Sequence, residues 1–93
     1  MSRNQIALSS MSMDLKRAAL GYYRGSIEAA DRFLDEAIKR KKEVDISSIK
    51  PYIKKILSDV EKLRSKNPAD VAEDALMYST LLQNAALFDK DDK

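Results

Sequence analysis

Residues 49–66 read IKPYIKKILSDVEKLRSK. Ile49, Ile53, Ile56, Val60 and Leu63 recur at steps of four, three, four and three, which draws one apolar stripe along an α-helix. The other side of that helix carries Lys50, Lys54, Lys55, Lys62, Arg64 and Lys66. One face wants a core and the other offers positive charge. This helix is expected to be the hub of the fold, with Ser48 as its N-cap and Pro51 at its third position, where a missing N–H costs nothing.

Downstream, Asn67-Pro68 is the clearest boundary in the chain, because asparagine caps and proline suits the first helical position. Asp70, Glu73 and Asp74 load the next turns with acid, as the helix dipole prefers. The spacing of Val71, Ala75, Tyr78, Leu82 and Ala85 predicts a helix from Pro68 to Phe88. Its last part is apolar on most sides. Leu76, Leu81, Leu82, Leu87 and Phe88 exceed what one core stripe needs, so they are either buried by both other helices or form a protein interface.

Upstream, Met13 to Val44 has a long helical pattern. Leu20, Tyr23, Ile27, Ala30, Leu34 and Ala37 make one stripe; Leu15, Ala19, Tyr22, Ala29 and Phe33 make a second. Glu28–Arg32, Asp35–Lys39 and Glu36–Arg40 fall at i,i+4 as ion pairs. Gly21 and Gly25 weaken the helix interior, so this is one rod or two helices broken near Gly21. Their spacing with Ala29 also suits tight helix packing. Residues 1–12 are serine-rich and are expected to be a disordered tail, with Met11 or Met13 as alternative starts; residues 89–93 are expected to be a second tail. Residues 13–88 then form one all-α domain, a mostly antiparallel bundle of three helices, or four if the first breaks.

Composition narrows the function. The chain of 93 residues has no cysteine, histidine or tryptophan. That removes disulfides, thiolate or imidazole metal sites, and the side chain that most readily moves protons near neutral pH. Hydrophobic residues at 44% are enough for a core. No stretch reaches the roughly 20 apolar residues of a membrane span, and the N-terminal residues do not read as a signal peptide, so a cytoplasmic protein is expected. The abundance of Lys, Glu, Asp and Ile is what a hot cytoplasm favours.

Charge is split along the chain. Residues 1–66 hold 15 Lys/Arg against 9 Asp/Glu, and residues 67–93 hold 2 against 6. From Lys39 to Lys66 the bases are Lys39, Arg40, Lys41, Lys42, Lys50, Lys54, Lys55, Lys62, Arg64 and Lys66. They read as a solvated helical face, a nucleic-acid backbone site, or an electrostatic dock for an acidic protein. The run from Lys39 to Lys42 also has a plain structural reason, since cations suit a helix C-terminus. Tyr22-Tyr23-Arg24 could stack on bases, although both tyrosines fall on the apolar stripes. Asp31/Asp35 and Asp70/Asp74 stand one turn apart among polar residues and read as solvated surface. There is no phosphate loop, HExxH or GxSxG, so no catalytic residue, metal ligand, cofactor or small-molecule substrate is expected.

With IKPYIKKILSDVEKLRSKNPADVAEDALMYSTLLQ in view, the chain resembles the small helical accessory subunits of the crenarchaeal family-B replicative DNA polymerase. The likeness spans residues 13–88 and rests on length, composition and helical layout; no functional residue carries over with it. It implies a non-catalytic subunit bound to a polymerase and near DNA. Beside it, the residues themselves support three readings: a non-enzymatic interaction subunit of a larger complex, a sequence-independent nucleic-acid binder, and a stand-alone homodimer.

Overall fold

A computed structural model describes residues 2–88, with the Phe88 side chain outside the described residues. The expected tail at 89–93 also lies outside them. The chain is all-α: α1 (Arg3–Tyr23), α2 (Ile27–Arg40), α3 (Pro51–Glu61) and α4 (Pro68–Phe88), with short 3₁₀ turns at Lys41–Glu43, Ile46–Ser48 and Leu63–Ser65. No strand occurs among the described residues.

The largest departure from expectation is at the start. Residues 3–12 are not a tail but the first half of α1. Ser2 caps it: the Gln5 N–H donates to Ser2 Oγ (3.1 Å), and the Ser2 N–H donates back to Gln5 Oε1 (2.8 Å). This reciprocal capping box satisfies two otherwise orphaned donors. Ala7, Leu8 and Met11 then enter the core, in phase with Leu15, Ala18, Ala19 and Tyr22. The phase is hard to read from large apolar residues alone, because Asn4 and Ser12 occupy buried positions in the same stripe.

Those two polar residues tie α1 to distant parts of the chain. Ser12 Oγ donates to the Ser79 carbonyl (2.7 Å), and Ser79 Oγ donates to the Ser12 carbonyl (2.8 Å). Gln5 Nε2 donates to the Ala86 carbonyl (3.0 Å), one of the last-turn acceptors that α4 cannot satisfy internally. The pairing of 5 with 86 and 12 with 79 means that α1 and α4 run in opposite directions. Asn4 clamps the loop before α3, donating to the Asp45 carbonyl (3.2 Å) and accepting from the Asp45 N–H (2.7 Å).

α1 also packs along α2. The chain breaks at Gly25 rather than Gly21. Gly25 has φ 79°, and the Gly25 and Ser26 N–H groups donate to the Tyr22 (3.2 Å) and Gly21 (2.8 Å) carbonyls. That pattern is a Schellman stop, which needs a left-handed residue. Gly21 has a different task. A Cβ on it would lie 2.9 Å from the Ala30 Cβ, so its bare backbone is what lets α2 approach. The turn resets the helical phase, which corrects the expected continuous stripe: Ala30, Leu34 and Ala37 point inward, whereas Leu20, Tyr23 and Ile27 are exposed.

α3 is shorter than expected. Ser48 belongs to a separate 3₁₀ turn capped by Asp45, and Pro51 is the first residue of α3 rather than its third. Proline disfavours helical backbone in the residue before it, and Lys50 is extended (φ −69°, ψ 153°). The isoleucine stripe is nonetheless buried along its length, from Ile49 to Leu63. It faces a core already built by α1, α2 and α4. At α4 the expected cap is present: the Asp70 N–H donates to Asn67 Oδ1 (3.1 Å) ahead of Pro68.

Candidate interaction surfaces

The basic candidates do not gather into one open patch. Arg40 donates from Nε to Asp14 Oδ2 at 3.0 Å and lies 3.5 Å from Glu43. Its hydrogen bond to Asp14 is the main reason its guanidinium is held above its ordinary pKa. Lys41 pairs with Glu61, Lys39 with Glu36 (3.8 Å) and Lys55 with Asp59 (3.6 Å). Lys66 donates to Asp74 (2.7 Å), which raises the lysine pKa. Lys42, Lys54 and Lys62 are exposed and carry no ion pair among the described residues. Lys50 is half-buried at the N-cap of α3.

Arg64 is the best-anchored of the ten. It reaches Asp31 (2.8 Å) and Asp35 (3.5 Å) on α2. The two aspartates expected to be plain solvated surface therefore hold the segment after α3 against α2, and the expected Asp35–Lys39 pair gives way to Asp35–Arg64. Tyr22 Oη donates to the same Asp31 at 2.5 Å. Burial, then the Asp31 hydrogen bond and charge, push the Tyr22 phenol up to about 12. Tyr22 is thus a packed residue with its hydroxyl at the rim, while its neighbour Tyr23 is 58% exposed.

The apolar candidates on α4 divide. Leu82 is fully buried in the core, so it is not available as an interface residue. Its place on the helix is the inward one, in line with Val71, Ala75 and Ala85. Leu76, Leu81 and Leu87 are exposed at 40%, 39% and 56%. The side chain of Phe88 lies outside the described residues.

Sequence reasoning missed the counterpart on α1. Ile6, Met13 and Leu20 are exposed on its outer face, seven residues apart. The spacing was readable, but two of the three fall outside the helical stripes drawn from residue 13 onward. Met13 and Leu20, together with Ser12, Lys16 and Arg17 of the same helix, border a groove of about 310 Å³ whose other wall carries Gln83 of α4. Leu76 and Leu87 lie seven before and four after Gln83, hence on the same side of α4. The two helices together present exposed apolar side chains beside their shared groove, which Lys16 and Arg17 also line.

Among the described residues no cluster of acidic, cysteine or histidine side chains could hold a metal ion, and no helix is long and apolar enough to cross a membrane. Compared with protein families, with curated proteins and with solved structures, the chain matches none of them.

Proposed function

We propose that the protein is a non-enzymatic interaction subunit of a larger complex, a mostly antiparallel helical bundle that works by holding a protein partner in the cytoplasm. The observation that carries this reading is the exposed apolar face shared by α1 and α4, with Ile6, Met13, Leu20, Leu76 and Leu87 outside the core. Surfaces of that kind on a small domain mark binding sites. The basic residues support nucleic-acid contact as the secondary role, since Arg40, Lys41, Arg64 and Lys66 are already engaged by carboxylates of the same chain. The resemblance to polymerase accessory subunits makes a family-B DNA polymerase of a thermophilic archaeon the proposed complex, with Lys42, Lys54 and Lys62 nearest to DNA.

A pull-down from extract of the source cells tests this. One large protein recovered in stoichiometric amount is the expected result; recovery of nothing specific overturns it. The same protein should show weak, salt-sensitive DNA binding on its own. Tight binding to DNA alone, lost on charge reversal of Lys42, Lys54 and Lys62, would replace the subunit reading with direct nucleic-acid binding.

A further inference from the structure

The partner's chemistry can be read from what surrounds the apolar line on α1. Fourteen residues of helix separate Ile6 from Leu20, a distance of about 21 Å. Residues seven apart drift by only about 20° per repeat, so Ile6, Met13 and Leu20 stand nearly in single file. On α4 the facing positions Leu76, Thr80, Gln83 and Leu87 step by four, three and four. The hydrogen bonds joining 5 to 86 and 12 to 79 set Leu87 near the Ile6 end and Leu76 toward the Leu20 end. A recessed groove between two antiparallel helices, edged by one heptad line on each, has the shape that seats a third helix.

Charge selects which helix. The one carboxylate in α1 is Asp14, which is 6% exposed and turned to Arg40 and Arg17. Lys16 and Arg24 are exposed and carry no ion pair among the described residues. Arg17 lies 3.7 Å from Asp14 and over the Phe33 ring, with its side chain half exposed. Among the described residues the carboxylates of α4, Asp70, Glu73 and Asp74, all come before Leu76, toward the N-terminal end. From Met13 to the end of α1 the apolar line is therefore flanked by cations. A second copy docked face to face about a twofold axis near Lys16 and Arg17 would set them against their own kind, which like-charge repulsion opposes.

We infer that this groove receives an amphipathic helix of another protein, apolar along one seam and acidic on both flanks, an assignment that rests on the interaction-subunit reading above. The probe is a 28-residue synthetic helix with leucine and isoleucine at the seam and glutamate on the flanks, followed by fluorescence anisotropy against the full chain. A matched peptide with lysine on the flanks is the control. The glutamate peptide should bind, and the lysine peptide should bind at least about tenfold more weakly. Binding should weaken as salt rises past the range where the Debye length falls below about 10 Å. Met13→Glu and Leu20→Glu, both at exposed positions, should each weaken it by about tenfold or more without changing the melting temperature.

Equal binding of both peptides, or binding that survives Met13→Glu and Leu20→Glu together, overturns the inference. So does binding to vesicles containing phosphatidylserine with none to the glutamate peptide, which would make the face a membrane contact. In the extract pull-down, a partner retained by the Met13→Glu/Leu20→Glu double variant overturns this site and leaves the subunit reading intact. Recovery of nothing specific by the unaltered chain overturns the reading itself.

Discussion

The first half of α1 and the whole of α3 make an instructive pair. α3 and its flanks have the plainest helical signal in the chain, five large aliphatic side chains from Ile49 to Val60, all buried. Residues 3–12 have three serines, an asparagine and one alanine, yet this segment packs along α4 and clamps the loop before α3. Large side chains keep helix axes apart and advertise burial; small ones let backbones come close and leave little periodicity to see. A strong apolar stripe therefore says that a face is covered. It does not say which helix is central.

Deletion separates the two segments most directly. A chain starting at Met13 loses Ala7, Leu8 and Met11 from the core and the Asn4 clamp with them. Domains of this size have roughly 5–15 kcal/mol of stability in all, and burying a Leu or Met contributes about 1.5–3 kcal/mol each before cavity terms. The expected outcome is loss of a cooperative urea transition by circular dichroism. Ile53→Ala in α3 should cost about 2–4 kcal/mol and leave the transition cooperative. If the order is reversed, with the deletion tolerated and Ile53→Ala unfolded, α3 is the organiser after all.

Much of the fold was readable for identifiable reasons. Asn67-Pro68 declared the start of α4, and the stripes of α3 and α4 are buried as their spacing requires. The capping box at Ser2 and Gln5 is equally present in the sequence, but Ser9, Ser10 and Ser12 interrupt the apolar positions that follow it and blur their period. The break after Tyr23 is not legible in the sequence because Gly21 and Gly25 look alike as residues. One is a point of close approach and the other a left-handed stop, and only the position of Ala30 separates them. Leu82 shared a sequence context with Leu81 but faces the other way, and the ion pairs of Arg64 join segments about thirty residues apart. Long-range pairs of that sort have no local signature. The exposed line on α1 needed its first half to be recognised as helix before Ile6 could join Met13 and Leu20.

A smaller effect is expected where α1 meets α2. Replacing Gly21 by alanine should gain up to about 1 kcal/mol of helix propensity in isolation. Here the new Cβ would meet the Ala30 Cβ at 2.9 Å and its Cα at 3.2 Å, and neither atom is the end of a flexible side chain. Overpacking of this sort costs about 1–3 kcal/mol, so Gly21→Ala should destabilise. Ala30→Gly in the same chain reopens the space, and the double variant should be more stable than the sum of the two single changes. Additivity would mean that the helices adjust freely and that α1 does not depend on close approach to its neighbour.

The smallest effect lies where the far end of α1 meets the turn after α3, and it is visible through pH. Tyr22 gives its proton to a hydrogen bond with Asp31, which Arg64 also holds. With burial as the leading cause, the phenol titrates near 12 in the folded chain, against about 10 when unfolded. Between those values the unfolded chain has released the proton and the folded chain keeps it. By linkage, stability therefore falls as pH rises from 10 to 12, and this contribution is intact below 10. Absorbance at 295 nm should show a late-ionising component among the four tyrosines, and Tyr22→Phe should remove its last phase. Asp31→Asn should shorten the delay without abolishing it, because burial remains when the carboxylate charge is gone. A late phase unchanged in Tyr22→Phe would mean that this end of α1 is open to water, and that only its serine-rich first half is packed tightly enough to hold the molecule together.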